Sequence, residues 1–371
     1  MPSNPNHFHE SRATETATQA RRVAAGYLRI QEAAVLLEPL AGGFSGGAAF
    51  RVQLSSGPAC GGVWLVKSFP PGYDLRRAEW VHRMLRHASG SGSIVPRPVE
   101  HPGGGSVFVA ADGRHWEMLS WIEGRPRLRP QPAEVIAAIQ AVAAVHRAVA
   151  DLTALPPAGP PPAAVYRPQR AAAILADPWP ARLERAGGIW RRLAAAEAAM
   201  RPLVEQAVRR IAEDPPALEV RQVVLRDCTA EHVLFADEIS PEKPSRVVGL
   251  IDYHAAGVDS VACDLARLLG DWELGLPEAA GHADALDAYA VAAGYRGGLS
   301  SDEREAIGWL HASGVVLGLD NWLRWVVEER REFARPAAVV SRIERLLGRL
   351  EPAVRFLAAA PRRGIARGTP D

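Results

Sequence analysis

The stretch Gln222-Val-Val-Leu-Arg-Asp-Cys-Thr-Ala-Glu-His-Val-Leu-Phe235 has two short apolar runs on either side of a polar loop, which begins at Asp227. Further along, Arg246-Val-Val-Gly-Leu-Ile-Asp-Tyr253 contains another β-branched run, which ends on Asp252. Runs rich in valine and isoleucine favour β-strands. We therefore expect strands that present two carboxylates at their ends.

Two carboxylates placed in this way suit phosphoryl transfer. One carboxylate accepts the proton of the attacking hydroxyl group, and the other binds the Mg²⁺ ion that bridges the nucleotide phosphates. A single aspartate at the end of a strand is more often a turn or cap residue. The identity and spacing of the surrounding residues therefore decide between the two interpretations.

The surrounding residues resemble the aminoglycoside phosphotransferase and choline kinase group of kinase-like enzymes. The catalytic loop of that group reads roughly His-Gly-Asp-x-x-x-x-Asn, and its metal-binding strand reads Ile-Asp followed by an aromatic residue. Asp227 falls on the catalytic aspartate and Asp252 on the metal ligand. Ala256-Gly257 and Cys263-Asp-Leu-Ala-Arg-Leu-Leu269 match the group's Ala-Gly and Asp-Leu-Ala helix start, where Asp264 is expected to cap the helix and hold the loop.

This resemblance implies both a fold and a function. The implied fold class is α+β, a bilobal protein-kinase-like fold with a small β-rich N-lobe at 27–124 and a larger, mostly helical C-lobe at 125–360. The implied activity is transfer of the γ-phosphate of ATP or GTP to a hydroxyl group of a small-molecule acceptor. Residues 1–26 are expected to form a mobile N-terminal tail, and residues 361–371 a C-terminal tail.

Three positions depart from the pattern of the group. Leu225 replaces the histidine, His232 replaces the metal-binding asparagine, and Asp259-Ser260-Val261 stands where Gly-Asp-Pro is common. An imidazole nitrogen binds Mg²⁺ poorly and Mn²⁺ more readily. We predict one metal ion, Mg²⁺ or alternatively Mn²⁺, held mainly by Asp252 with His232 beside it. The alternatives are that His232 donates a hydrogen bond to a phosphate, or that it turns away.

The N-lobe contains a glycine-rich segment, Ala41-Gly-Gly-Phe-Ser-Gly-Gly-Ala-Ala-Phe-Arg-Val52, between two strand-like runs. Glycines let backbone N–H groups approach phosphates closely. The run Val63-Trp-Leu-Val-Lys-Ser-Phe69 then places Lys67 among apolar neighbours, where an ammonium group needs an anionic partner such as the nucleotide phosphates.

Two further segments complete the predicted nucleotide site. A helix over residues 75–87 carries one carboxylate, Glu79, which we expect to pair with Lys67. The segment Trp116 to Pro126 resembles the hinge between the lobes, whose backbone meets the adenine. The residues assigned to the nucleotide are Gly43, Ser45, Gly46, Lys67, Glu79, Trp121 and Ile122.

Past Leu128 the pattern becomes helical, and this half should bind the acceptor. Helices are predicted at 132–147, 189–211, 279–293, 302–330 and 336–359, with a proline-rich loop at 155–168. Acidic and aromatic side chains there would suit a cationic or sugar-like acceptor. The candidates are Asp271, Trp272, Glu273, Asp320, Trp322, Arg324 and Trp325.

Composition restricts the partners and the location. The chain has 371 residues, 48% of them hydrophobic, and its net charge of +1 argues against a nucleic-acid or membrane partner. The three cysteines have neither disulfide nor zinc spacing. The first residues lack the apolar core of a signal peptide, and no run approaches the ~20 apolar residues that cross a bilayer. We therefore expect a cytoplasmic protein, whose oligomeric state the sequence leaves open.

Two other functional classes are alternatives to a small-molecule kinase. A catalytically weak, pseudokinase-like nucleotide-binding module that acts through a partner is favoured by the missing asparagine. A protein kinase is disfavoured, because Asp252-Tyr253-His254 is followed within a dozen residues by the Asp264 helix. That spacing leaves no room for a peptide-docking activation segment.

Overall fold

The computed structural model describes most of the chain, and the described ranges are 5–40, 47–55, 61–70, 72–152, 159–184, 187–218, 222–237, 245–333 and 335–359. The chain divides into two compact units. The first unit comprises Met1–Arg127, Ala144–Ala158 and Glu231–Ala256, and the second comprises Leu128–Ala143, Gly159–Ala230 and Gly257–Asp371. The predicted C-terminal tail lies outside the described ranges.

The secondary-structure elements are numbered in chain order. The strands are β1 (Val35–Pro39), β2 (Ala49–Leu54), β3 (Val63–Ser68), β4 (Val107–Val109), β5 (His115–Ser120), β6 (Arg125–Pro126), β7 (Gln222–Val224), β8 (Val233–Phe235), β9 (Val247–Leu250) and β10 (Gly257–Asp259). The helices are α1 (Pro5–Leu28), α2 (Leu75–Gly90), α3 (Pro132–Val149), α4 (Ala163–Ala176), α5 (Trp179–Leu183), α6 (Trp190–Glu213), α7 (Ala262–Asp271), α8 (His282–Ala293), α9 (Ser301–Leu323) and α10 (Pro336–Ala359).

The first unit is built on an antiparallel five-stranded sheet in the order β1-β2-β3-β5-β4. Alternate residues of β2, namely Phe50, Val52 and Leu54, are buried, as the period of two in a strand requires. A smaller sheet of the same unit has the order β6-β8-β9. Its last strand leads directly to Asp252. The strand that carries Lys67 and the segment that carries Asp252 therefore belong to the same unit.

Helix α1 packs on the large sheet, and its buried side chains are Ala20, Val23, Ala24, Ala25 and Tyr27. The Tyr27 hydroxyl donates to the carbonyl oxygens of Ser106 and Trp116 at 3.0 and 3.2 Å. The structure therefore differs from the mobile tail predicted for residues 1–26. Alanines and one valine in the second half of the helix form an apolar face that covers the sheet. The average composition of the segment is polar, so composition alone does not indicate this face.

The second unit is mainly helical, and a buried charged cluster joins three of its helices. Asp320 of α9, 1% exposed, accepts hydrogen bonds from the guanidinium groups of Arg170 and Arg182 and from the indole N–H of Trp179 at 3.2 Å. A buried carboxylate requires such partners. The cluster therefore fixes α4 and α5 against α9.

Helix α3, within the described ranges, is the one helix long and apolar enough to cross a membrane by length and composition. Its residues Val135, Ala138, Ile139 and Val142 are at most 5% exposed within the protein. The core helix of a globular protein has the same character, so this composition is weak evidence for a membrane span.

The predicted α+β class, with a β-sheet region followed by a mostly helical part, is confirmed. The helix bounds differ most at the proline-rich stretch, because α4 begins at Ala163 and contains Pro168. Arg167 of this helix donates to the carbonyl oxygen of Leu310 and to the hydroxyl of Ser313, both on α9. Contacts with α9 therefore outweigh the low helix propensity of proline.

We predict that Val23→Asp destabilises the protein strongly. Val23 is 2% exposed, so the substitution puts a carboxylate into an apolar core. The free energy of unfolding should fall by about 2–4 kcal/mol in chemical denaturation. Glu15→Ala, at an exposed position of the same helix, should change it by less than about 0.5 kcal/mol. Equal small effects would contradict the packing of α1 on the sheet.

Candidate active site

Strand β3 places Lys67 beside Asp252 in the first unit. The Lys67 ammonium group donates to Asp252 Oδ1 at 3.2 Å and to His254 Nδ1 at 3.1 Å. The lysine side chain is 15% exposed, and an ammonium group with so little access to water needs partners of this kind. Two residues predicted to act at the nucleotide, 185 positions apart in sequence, are therefore in direct contact.

A buried carboxylate, Glu117, lies directly across from Lys67 in the pairing of β3 with β5. It is 1% exposed and accepts hydrogen bonds from His254 Nε2 at 2.8 Å and from His82 Nε2 at 2.7 Å. His82 Nδ1 lies 2.7 Å from the Ser106 hydroxyl. Because Lys67 donates to Nδ1 of His254, that ring carries its proton on Nε2, facing Glu117. A continuous chain of hydrogen bonds therefore runs from Lys67 to Ser106.

The loop that follows Asp252 is held by helix α2 and the segment before it. The Arg77 guanidinium donates to the carbonyl oxygen of His254 at 3.2 and 3.3 Å and to that of Ala256 at 2.6 Å. The Tyr73 hydroxyl donates to the same His254 carbonyl at 3.0 Å. These bonds fix the backbone that presents Asp252.

The predicted pair of Glu79 with Lys67 does not form between these two described residues. Glu79 is exposed on the outer face of α2. His82, almost one turn later, faces the sheet and binds Glu117 instead. Strand β5 therefore supplies a second carboxylate, Glu117, which reaches Lys67 through His254, while Asp252 contacts Lys67 directly.

Asp252 and His232 are neighbours, as the sequence predicts. His232 Nε2 lies 3.8 Å from Asp252 Oδ2, and the Asp252 side chain is 37% exposed. Burial would raise the pKa of Asp252, but Lys67, His254 and His232 hold it below its ordinary value. The backbone of Asp252 has φ 62°, in the left-handed region that a non-glycine residue adopts at some cost.

These residues fit a metal ion that phosphates help to bind. Among the described side chains, no group of three or more His, Cys, Asp or Glu residues is placed to hold an ion by itself. Mg²⁺ at nucleotide sites is typically bound by one or two carboxylates together with phosphates and water. The partly exposed carboxylate of Asp252 beside His232 suits that arrangement.

The glycine-rich loop lies mostly outside the described ranges, including Gly43, Ser45 and Gly46. Gly47, which ends it, is described. A Cβ atom on Gly47 would lie 2.3 Å from the Ser68 carbonyl oxygen. Only glycine, which has no Cβ atom, therefore lets the chain pass so close to the end of β3.

The predicted hinge residues are half-buried in the first unit. The Trp121 indole N–H donates to Glu123 at 2.8 Å, and the Arg51 guanidinium lies 5.3 Å from the indole ring. Ile122 packs against Gly249, where a Cβ atom would lie 2.6 Å from its side chain. The contact of Trp121 and Ile122 with a nucleotide base stays a prediction.

The second unit presents Asp227. Its side chain is 43% exposed, and Asp227 Oδ1 lies 3.1 Å from Arg267 Nη2. The preceding Arg226 has φ 63°, and its side chain pairs with buried Asp259 at 3.2 Å and donates to the Val258 carbonyl at 2.8 Å. Asp259, one of the departures from the expected pattern, therefore anchors the loop that carries Asp227.

Asp264 anchors the same loop from helix α7. It is 0% exposed and accepts a hydrogen bond from the Leu225 N–H at 2.7 Å, which confirms that it holds the loop. The expectation that it caps the helix is wrong, because the N-cap is Val261 and has no side-chain cap. Burial, followed by nearby carboxylates, raises the pKa of the Cys228 thiol well above its usual value, which argues against a nucleophilic cysteine.

The candidate acceptor residues are dispersed. Asp320 belongs to the buried arginine cluster, and Trp322 packs edge-to-face on Trp325 with ring centroids 5.3 Å apart. The Glu273 side chain is 81% exposed. Asp271 accepts a hydrogen bond from the Ala230 N–H at 3.1 Å and lines a cavity of the second unit.

Several charged or titratable residues at these two centres are not among the predicted site residues, although some of them carry a signal. Glu117 is a lone carboxylate in the apolar run of β5, the same signal that singled out Lys67. Three more stand beside predicted residues. They are Arg226, His254 and Arg267.

Comparison with known proteins decides the family. A model described as the phosphotransferase enzyme family matches residues 37–298, which is more than half of the chain. The chain belongs to this phosphotransferase family. The match spans both units and includes Lys67, Asp227 and Asp252.

Individual relatives of this phosphotransferase are distant. A homoserine kinase of Methylocella silvestris is 27% identical over 212 residues, which are 57% of this chain and 58% of that protein. An aminopropanol kinase associated with a microcompartment has the same fold, with a TM-score of 0.59, 14% identity, and coverage of 93% of this chain and 99% of the other. A spectinomycin phosphotransferase in complex with ADP and spectinomycin has a TM-score of 0.56, 13% identity and coverage of 87% and 92%.

We predict that Glu117→Gln destabilises this phosphotransferase and that Glu79→Gln does not. Burial would raise the pKa of Glu117, but His254 and then His82 hold it well below the ordinary 4.5. The ionised carboxylate therefore stabilises the fold, and its loss should cost about 3 kcal/mol in chemical denaturation at pH 7. Exposed Glu79 should contribute less than about 0.5 kcal/mol.

The pH dependence has a definite sign. A depressed folded-state pKa contributes stability that is complete above the unfolded-state value and is lost as pH falls through the folded-state value. The difference between the parent and Glu117→Gln should therefore narrow below about pH 4.5. A difference that grows as pH falls would contradict the assignment.

Proposed function

We propose that the protein transfers the γ-phosphate of ATP or GTP to a hydroxyl group of a small molecule. The observation that carries this proposal is the contact of Lys67 with Asp252 at 3.2 Å within a chain of the phosphotransferase family. A lysine and an aspartate held together in this way are placed to bind phosphates and a metal ion. A cytoplasmic location and a small-molecule partner follow from the same proposal.

In this proposal Lys67 binds the nucleotide phosphates as a point charge. Its ammonium group has three N–H donors, two of which are used by Asp252 and His254. The hydrogen-bonded chain through Glu117 holds the ammonium group at the end of the sheet. The half-buried hinge at Trp121 and Ile122 supplies backbone groups for the base.

Asp227 is the proposed catalytic base. Its carboxylate is exposed enough to meet an acceptor hydroxyl, while Arg267 orients one of its oxygens at 3.1 Å. Asp259 and Asp264 anchor the loop on either side, so the carboxylate has a fixed direction. A general base requires this fixed position within hydrogen-bond reach of the proton that it removes.

Asp252 and His232 would hold the metal ion, Mg²⁺ or Mn²⁺. A bound ion would supply positive charge to the transferring phosphate. His232 lies 3.8 Å from Asp252, within the distance at which two side chains share one ion. The relatives support nucleotide use, since one was crystallised with ADP, and they support small acceptors through homoserine and aminopropanol.

A pseudokinase-like nucleotide-binding module is the second candidate function. The observation that favours it is His232 in place of the asparagine expected at the metal end. The exposure of Asp227 and its anchoring by two buried aspartates favour the enzyme, because a module without acceptor chemistry has no need of them.

Asp227→Asn should abolish phosphate transfer while nucleotide binding survives. The asparagine keeps the shape of the side chain but cannot accept the proton, so the rate should fall by at least about 100-fold. The measurement combines a screen of hydroxyl compounds with ATP and GTP and calorimetry of nucleotide binding. Lys67→Met is the matched comparison, since it should weaken nucleotide binding itself. Transfer by Asp227→Asn at the parent's rate would place the base elsewhere.

His232→Asn should shift the metal preference toward Mg²⁺. The substitution exchanges a nitrogen ligand for a carbonyl oxygen, which Mg²⁺ prefers. The ratio of transfer rates in Mg²⁺ and Mn²⁺ should rise by about 10-fold, equivalent to ~1.4 kcal/mol. His87→Asn, at an exposed hydrogen bond with Asp151, serves as the control and should leave the ratio unchanged. An unaltered ratio in His232→Asn would show that this imidazole does not act at the metal.

A further inference from the structure

The second unit contains a cavity between α4, α7, α9 and α10. It is partly open to solvent, and the space between its lining residues, open solvent included, is about 480 Å³. Its lining residues are unusually basic, and the arginines among them are Arg167, Arg267, Arg342, Arg345 and Arg349. The last three lie at spacings of three and four along α10, so they share one face of that helix. We call this space the arginine cavity.

The five arginines face a single carboxylate among the lining residues, that of Asp271. Asp271 is engaged by Arg342 at 3.2 Å and by the Ala230 N–H at 3.1 Å. Asp227 also lies 3.1 Å from Arg267 and Glu273 3.9 Å from Arg349, so the five arginines outnumber these three carboxylates and the lining keeps an excess of positive charge. Burial, and after it the charges of Arg349 and Arg167, lower the pKa of the His311 imidazole in this lining to about 4.

One of the lining residues connects the cavity to the proposed base. Arg267 lines the cavity and also contacts Asp227 Oδ1 at 3.1 Å. A molecule bound in the cavity would therefore lie one side chain away from the carboxylate that activates the hydroxyl. No residue of the first unit is needed for this connection.

We infer that the arginine cavity binds the acceptor through an anionic group, a carboxylate or a phosphate. This inference rests on the proposed function and names the class of its substrate. A guanidinium group has a planar set of five N–H donors that matches both anions. Cationic acceptors, which the acidic and aromatic candidates favoured, would be repelled by the same charges.

Bonds within the protein leave this role open to the arginines. Arg349 donates from one terminal nitrogen to the Asp271 carbonyl oxygen at 3.2 Å. Arg167 donates from one terminal nitrogen to Leu310 and Ser313. Each guanidinium has further N–H groups, so an internal bond that orients the side chain is compatible with an anionic ligand.

The first experiment compares glycerate and glycerol phosphate with neutral glycerol and cationic aminopropanol. Binding to the full-length protein is measured by calorimetry without nucleotide, and phosphate transfer is measured with nucleotide present. We expect one of the two anions to bind at least about 10-fold more tightly than glycerol. The two anions distinguish a carboxylate site from a phosphate site.

The second experiment removes charge from the cavity with Arg345→Gln and Arg349→Gln. Each should weaken binding of the preferred anion by about 10-fold, while Arg345→Lys should retain part of the affinity. Arg355→Gln is the matched control, because Arg355 lies on the same helix, pairs with Glu351 at 2.8 Å and does not line the cavity. Thermal unfolding of each variant shows whether a loss of binding reflects a loss of folding.

The outcomes separate the two proposals. Preferred transfer to a neutral or cationic acceptor would overturn the anionic class and support the kinase activity. Anion binding that is equal in the parent and in both folded cavity variants would also overturn the inference. Arginine-dependent anion binding without transfer to any hydroxyl compound would count against the proposed function and support the anion site.

Discussion

The burial of one carboxylate organises the first unit. Glu117 sits in the interior of the sheet, where an ionised group without partners would cost several kcal/mol. Its two oxygens are satisfied by two imidazoles that come from different parts of the chain, His82 on α2 and His254 after β9. The helix and the loop that presents Asp252 are therefore tied to the same point of the sheet. Lys67 is the outermost member of this arrangement, so its position depends on all the others.

The second unit applies the same principle to its own loop. Asp264 and Asp259 are buried, and each compensates its charge with groups of the loop that carries Asp227. Backbone N–H groups and a guanidinium are donors that a carboxylate can bind without water. In both units a hidden carboxylate thus positions an accessible one. Leu225 stands where the pattern of the group has histidine. The loop is still anchored, because Asp264 and Asp259 bind its backbone and the Arg226 side chain.

Much of the site could be predicted from the sequence, because strand ends and apolar runs constrain where charged residues lie. Asp252 and His232 are neighbours as expected, and the loop of Asp227 is held by Asp264, but the direct contact of Lys67 with Asp252 was not predicted. The predicted pairing of Glu79 with Lys67 is wrong. The sequence of a helix does not show by itself whether a glutamate faces solvent or a buried partner. Glu117 required knowledge of the register between β3 and β5, which no local sequence feature specifies.

The acceptor half was less predictable for a related reason. Arginines at helical spacing on α10 are typical of a solvated face, and only the packing of α7, α9 and α10 shows that they surround a cavity. Asp320 is the opposite case. The sequence made it a candidate for binding the acceptor, but Arg170 and Arg182 enclose its carboxylate. Packing between helices that are distant in sequence decides whether the α10 arginines line a cavity and whether Asp320 is enclosed. The charge pattern along one helix carries no information about that packing.

The backbone conformations of Arg226 and Asp252 have a consequence for how this protein responds to selection. Both residues hold positive φ values, 63° and 62°, which cost about 1 kcal/mol or more for a side chain with a Cβ atom. Glycine at either position would relieve that cost. A search for heat-resistant variants without a requirement for activity would therefore tend to replace Asp252 with glycine and so remove the proposed metal ligand.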